Sequence, residues 1–189
     1  MAGAVIEPFL VSDAAAWRAW LDENEHTHDG VWLLLAKKGT TEPTSLTYDE
    51  ALAEALCSGW IDGQKRSHDE AMFLQRFTPR RKRSVWSQRN VGIVGDLIDQ
   101  GRMRARGHDE IRAAREDGRW ERAYAGSASA EVPAELLTLL EQSPVAQAHF
   151  AELSAAERYS ILWPVMTAAP AQRDARARKA IERLTAPRT

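Results

Sequence analysis

Residues 59–90 read GWIDGQKRSHDEAMFLQRFTPRRKRSVWSQRN, and this stretch decides how the chain is built. Between Trp60 and Phe77, two short runs are punctuated by Gly63 and by the polar Ser67-His68-Asp69-Glu70, and the second run holds Met72-Phe73-Leu74. That pattern predicts a β-hairpin. Within it, Asp62-Gly63 reads as a tight turn, because glycine accepts positive φ. Pro79 and the charged Arg80-Arg81-Lys82-Arg83 break regular structure. Ser87 then opens a helix that carries Val91, Val94, Leu97 and Ile98 and closes at Gly101. Gly92 and Gly95 inside it each cost about 1 kcal/mol relative to alanine. Their presence is an expectation of close packing by another element.

Upstream, Ser12 reads as an N-cap, and Trp17, Trp20 and Leu21 recur at helical spacing, which predicts an amphipathic helix over 13–24. Val31-Trp32-Leu33-Leu34-Leu35-Ala36 is a short continuous apolar run between Gly30 and Gly39, the signature of a buried strand. Thr47-x-x-Glu50 is a capping box, followed by Ala51, Leu52, Ala55 and Leu56 on one helical face and by Gly59 as a stop. Downstream, helices are expected over 108–117, after Pro133 and Pro144 as first-turn prolines, after the capping box Ser154-x-x-Glu157 with a kink at Pro164, and from Pro170 onward. The last carries Ala177, Ile181 and Leu184 on one side and a solvated basic face on the other.

The expected class is α+β and helix-rich, with a small antiparallel sheet of about three strands in the N-terminal half and a helical C-terminal part. Residues 1–124 are expected to form the α+β core, 125–131 a linker, and 132–189 a helical segment packing on the core. A chain of 189 residues, 44% hydrophobic and 28% charged, suits one compact domain or one with a helical extension. Cys57 is the single cysteine, which excludes an intramolecular disulfide framework and a cysteine-based zinc cage. No apolar run reaches the roughly 18 residues of a membrane span, and the opening residues lack a basic n-region, so a cytoplasmic protein is expected.

Net charge is only −2, but it is unevenly spread. Residues 1–60 hold 10 acidic and 3 basic side chains, whereas 61–106 hold 5 and 11. Any anion binding must therefore be local. Arg76, Arg80, Arg81, Lys82, Arg83 and Arg89 lie in one stretch without an acidic residue, interleaved with Phe77 and Trp86. Guanidinium forks grip phosphate or carboxylate, and indoles stack on planar ligands. The candidate ligand-binding set is Trp60, Lys65, Arg76, Arg80, Arg81, Arg83, Trp86, Ser87 and Asn90. Equally open is a structural role, in which the basic loop folds onto the acidic N-terminal third and the aromatics enter the core.

Asp62 is the one candidate catalytic carboxylate; paired with Lys65, Arg66 or Arg76 it could serve acid–base chemistry if a pocket formed around it. Otherwise it is a turn residue. His26 and His28 have ligand-like spacing in a polar loop without further ligands, so no metal site is expected. No Walker loop, GxGxxG, HExxH or GxSxG occurs, which disfavours the common enzyme classes and calls for no cofactor.

The same residues carry a resemblance. Gly59-Trp60-Ile61-Asp62-Gly63, Phe77-Thr78-Pro79-Arg80 and Ser84-Val85-Trp86-Ser87-Gln88-Arg89-Asn90 resemble the signature of the YdeI/OmpD-associated, or bacteriocin-protection, bacterial family. Trp17 to Leu21, Gly30-Val31-Trp32-Leu33, Gly101-Arg102-Met103, Gly118-Arg119-Trp120 and Tyr159 to Trp163 extend it along the chain. Residues 127–131 and the terminal Ala- and Arg-rich helix vary from it, and Gly92 and Gly95 stand where members commonly carry helix formers. The resemblance implies a bacterial protein of stress or antimicrobial-peptide tolerance, with no catalytic residues to carry over. Three functions follow as alternatives: a module binding a small anion or nucleic acid, a small cofactor-independent enzyme using Asp62, and a partner of a protein or cationic peptide drawn to the acidic N-terminal third.

Overall fold

The computed structural model describes residues 7–186. Among these, eight helices and a four-stranded mixed sheet form an α+β fold. The elements in chain order are β1 (Pro8–Phe9), α1 (Ala14–Asn24), β2 (Val31–Ala36), α2 (Tyr48–Cys57), β3 (Trp60–Ser67) and β4 (Met72–Pro79). They continue with α3 (Gln88–Asp99), α4 (Ala105–Glu116), α5 (Ala134–Glu141), α6 (Pro144–Glu152), α7 (Ala155–Met166) and α8 (Pro170–Thr185). The chain divides into two compact units, one running to Ser84 and adding Gly92–Asp117, the other built from Val85–Val91 and Gly118 onward. Residues 125–131 lie inside the second.

In the first unit the strand order is β1-β2-β4-β3, with β2, β4 and β3 antiparallel and β1 parallel to β2. The sheet thus has a fourth, parallel strand beyond the three antiparallel ones expected. β1 is two residues long, too short for any periodicity, and only pairing with Trp32 and Leu33 makes it a strand. The helix-facing side of the sheet presents Leu33, Gln75 and Phe77 in register. Phe77 meets the indole of Trp17 from α1, and Trp17 meets Trp60 edge-on at 6.3 Å. Both indoles are fully buried, and both nitrogens donate to backbone carbonyls, of Ala51 and Glu25. Such rings each remove roughly 150–250 Å² from water, so this aromatic knot anchors helix to sheet.

The hairpin stands where expected, but of its two predicted breaks Asp62-Gly63 does not make the turn. Asp62-Gly63 lies within β3, at an irregularity in the pairing between Asp62 and Lys65. The chain reverses instead after Ser67, where the Asp69 carboxylate accepts the amides of Ala71 and Met72 at 2.8 and 2.7 Å. An Asp side chain that mimics a backbone turn outcompetes the Asp-Gly dipeptide because two eight-residue strands can then form six residue pairs.

Three helix ends also differ. Asp13, not Ser12, caps α1 by accepting the Ala16 amide, which holds its carboxyl below the ordinary carboxylate range. Pro133 occupies the cap position of α5 rather than its first turn, and α4 begins at Ala105, three residues early. Gly92 and Gly95 do not admit a neighbour: a Cβ at either would meet nothing within 4 Å. Close approach occurs instead at Gly107, where a Cβ would collide with the Cys57 carbonyl oxygen and Met103. The two capping boxes, at Thr47/Glu50 and Ser154/Glu157, form as read.

The second unit packs α5, α6, α7 and α8 around Leu136, Leu140, Leu162, Val165, Ala177 and Leu184. α7 continues through Pro164 to Met166. Preceding α5, the backbone of Tyr124 exchanges hydrogen bonds with Trp86 and Gln88 at 2.9 Å each, which brings residues 86–88 into this unit.

Candidate functional site

The register of β2 against β4 places Trp32 directly opposite Arg76, and Leu34 opposite Leu74. Directly opposed residues share a sheet face, and Arg66 of β3 opposes Leu74 from the other side. Trp32, Arg66 and Arg76 therefore lie together on the face turned away from Trp17. The Arg66 guanidinium sits 4.9 Å above the Trp32 ring. Arg66 is exposed, while Trp32 and Arg76 are half-buried. An arginine over an indole gains about 0.5–1 kcal/mol at such an exposed position and keeps its N–H edge for an oxyanion.

The other predicted residues separate. Lys65 points to the opposite face, with its ammonium 4.1 Å over the Phe73 ring. Asp62 is half-buried, and its Oδ2 accepts the Tyr48 hydroxyl at 2.9 Å. The pair joins β3 to the first turn of α2. Trp60 is fully enclosed in the aromatic knot and has no open ring face for stacking. Arg80 is 5% exposed, and its amide donates to the Gly59 carbonyl at 3.0 Å. Arg81, Lys82 and Arg83 stand exposed in a turn closed by the Ser84 amide on the Arg81 carbonyl and by the Arg81 amide on the Ser84 hydroxyl.

Trp86, Ser87 and Asn90 belong to the second unit. Trp86 is 1% exposed and packs edge-on against Trp120 at 4.9 Å. The Ser87 hydroxyl accepts the amide of the buried Asn90, capping the start of α3. Of the nine predicted ligand residues, Arg76 alone joins the Trp32 and Arg66 grouping. Trp32 was hidden because it sits in an unbroken apolar run, and Arg66 because its partner lies on a strand more than thirty residues away. Only strand pairing reveals the set.

Elsewhere in the first unit, the buried Glu54 carboxylate is shared by Arg102 and Arg104, and Arg104 also pairs with Asp22. This cluster ties α1 and α2 to the segment that starts α4. Beside it, burial, with the Glu54 charge second, pushes the Cys57 thiol up from its ordinary pKa. No helix of the described residues is long and apolar enough to cross a membrane.

Comparison with known families gives two matches. Residues 9–110 match the family described as "Domain of unknown function (DUF8412)". Residues 129–186 match the family described as "Bacteriocin-protection, YdeI or OmpD-Associated". The motif-rich stretch 59–90 falls within the first match. No curated protein and no solved structure matches the chain.

Proposed function

The chain belongs to the family described as Domain of unknown function (DUF8412), whose match spans more than half of it, and on that footing we propose that it is a binding module for an anionic ligand in a bacteriocin-protection or stress-tolerance setting. The setting rests on the match of residues 129–186. The binding reading rests on one observation: Arg66 lies over Trp32 while Arg76 stands directly across from the same indole. One guanidinium over the indole and a second arginine at the directly opposed strand position suit a phosphate or carboxylate carried on a planar group. The exposed Arg81-Lys82-Arg83 turn adds positive field to the same unit and steers anions toward it.

The test is titration of the full chain with AMP and with inorganic phosphate, at low and physiological salt. Saturable AMP binding that weakens with salt and is lost in the Arg66→Gln/Arg76→Gln double variant is the expected result. Arg112→Gln, an exposed residue paired with Asp109 on α4, serves as the control that keeps binding. If AMP does not bind, or binds the double variant as well as the parent, the reading fails.

A further inference from the structure

The second unit holds an open cleft of about 700 Å³, within the size range of small-molecule sites. Its walls come from five parts of this unit: Gln88 at the start of α3, the 121–125 segment, the 129–137 stretch that leads into α5, Met166 at the end of α7, and Arg173 on α8. Leu137 and Met166 supply an apolar side. Charge is arranged by depth. Arg122 and Arg173 are half-buried, whereas the lining carboxylates, Glu121 and Glu131, are exposed.

Arg173 is the group with unused capacity. Its Nη1 reaches Glu135 at 3.6 Å, longer than a hydrogen bond, and its buried Nε has no hydrogen-bond partner. A guanidinium carries five donors, and here one, Nε, is buried unmade while the rest reach solvent or the Glu135 carboxylate only at ion-pair distance. Nε is closed off from solvent, so the donors open to a ligand are those at the Nη end of a side chain that is 30% exposed and lines the cleft, and a single oxyanion brought in along the apolar side would be held there. The exposed Glu121 and Glu131 repel a ligand with several negative charges, which separates this cleft from a phosphate site.

We infer that this cleft is a binding site for a singly charged, carboxylate-bearing small molecule with a hydrophobic body, anchored by Arg173 and packed against Leu137 and Met166. It is independent of the Trp32 face, so neither proposal depends on the other.

The experiment uses three probes with one ring system and different charge: 2-naphthoate, 2-naphthamide and 2-naphthylmethylammonium, each titrated calorimetrically into the full chain. Naphthoate is expected to bind one per chain, at least about tenfold more tightly than the amide, with the ammonium weakest. Arg173→Gln should lose about tenfold or more of naphthoate affinity. Because Arg173 is half-buried, Leu137→Glu provides a second variant at an exposed position, and its added carboxylate should abolish naphthoate binding with the circular dichroism spectrum unchanged. The Arg66→Gln/Arg76→Gln variant should bind naphthoate normally. Naphthoate binding no tighter than the amide, no binding by any probe, or undiminished binding by folded Leu137→Glu overturns the inference.

Discussion

Arg104, at the cap position of α4, donates through Nη2 to the buried carboxylate of Glu54 on α2 at 3.2 Å. The bond links two helices that also meet where the Arg104 amide donates to the Cys57 carbonyl at 3.1 Å and Gly107 lies against that carbonyl. Glu54 also receives Arg102, so two guanidiniums share one buried carboxylate. Removing it takes the buried partner from both. Glu54→Ala should therefore destabilise the chain by about 3 kcal/mol, the low end for a broken buried pair, since Asp22 still serves Arg104. Urea unfolding of both proteins measures it, and a loss below about 1 kcal/mol would place the cluster with ordinary surface pairs.

Glycine substitutions separate open positions from crowded ones. Gly92 and Gly95 lie inside α3 with free space where a Cβ would go, so alanine at either should stabilise by roughly 0.5–1 kcal/mol. Gly107→Ala must push on the Cys57 carbonyl and should destabilise by about 1–3 kcal/mol. Thermal melts of the three variants test the opposite signs directly.

Acid stability depends in part on the first capping box. The Thr47 hydroxyl and then the Thr47 amide donate to the Glu50 carboxylate and hold its pKa below the ordinary value of 4.5. A depressed carboxyl pKa means that the unfolded chain binds the proton first. The contribution is complete above the unfolded pKa near 4.5 and is lost as pH falls through the lower folded value. Glu50→Gln should flatten that part of the stability curve while leaving its slope near neutrality unchanged. An unaltered acid limb would remove Glu50 from the account.

Cys57 should be inert in the folded chain. Its thiol is fully buried, and burial raises its pKa above the ordinary 9.0. Thiolate is the reactive form, so iodoacetamide labelling at pH 8 should proceed only as fast as the chain opens and should accelerate with urea. The same shift makes stability fall as pH rises past 9, where the unfolded thiol ionises first. Rapid labelling without denaturant would contradict the burial.

Local features were legible in the chain wherever they depend on neighbours in sequence. The two capping boxes, the strand at 31–36 and the helix at 48–57 follow from side chains one to four residues apart. Of the two breaks legible in the hairpin, the polar Ser67–Glu70 stretch makes the reversal, while Asp62-Gly63, the better turn dipeptide, is overridden by pairing along the whole strand. The candidate site was half visible: Arg76 stood out in an acid-free basic run, but most of that run went elsewhere. Arg80 and the indoles of Trp60 and Trp86 are buried, a fate that composition does not reveal.

By itself the sequence determined that the fold is α+β, where most helices begin and end, and that positive charge concentrates in the middle third, because caps, periodicity and charge are properties of contiguous residues. Tertiary structure alone decided that β1 joins the sheet, that Trp32 lies under Arg66 and opposite Arg76, and that Arg173 lines a cleft with Met166 and Leu137. Those relations join residues far apart in the chain, and they exist only once burial of the aromatic knot and of the α5–α8 core sets strand register and helix placement.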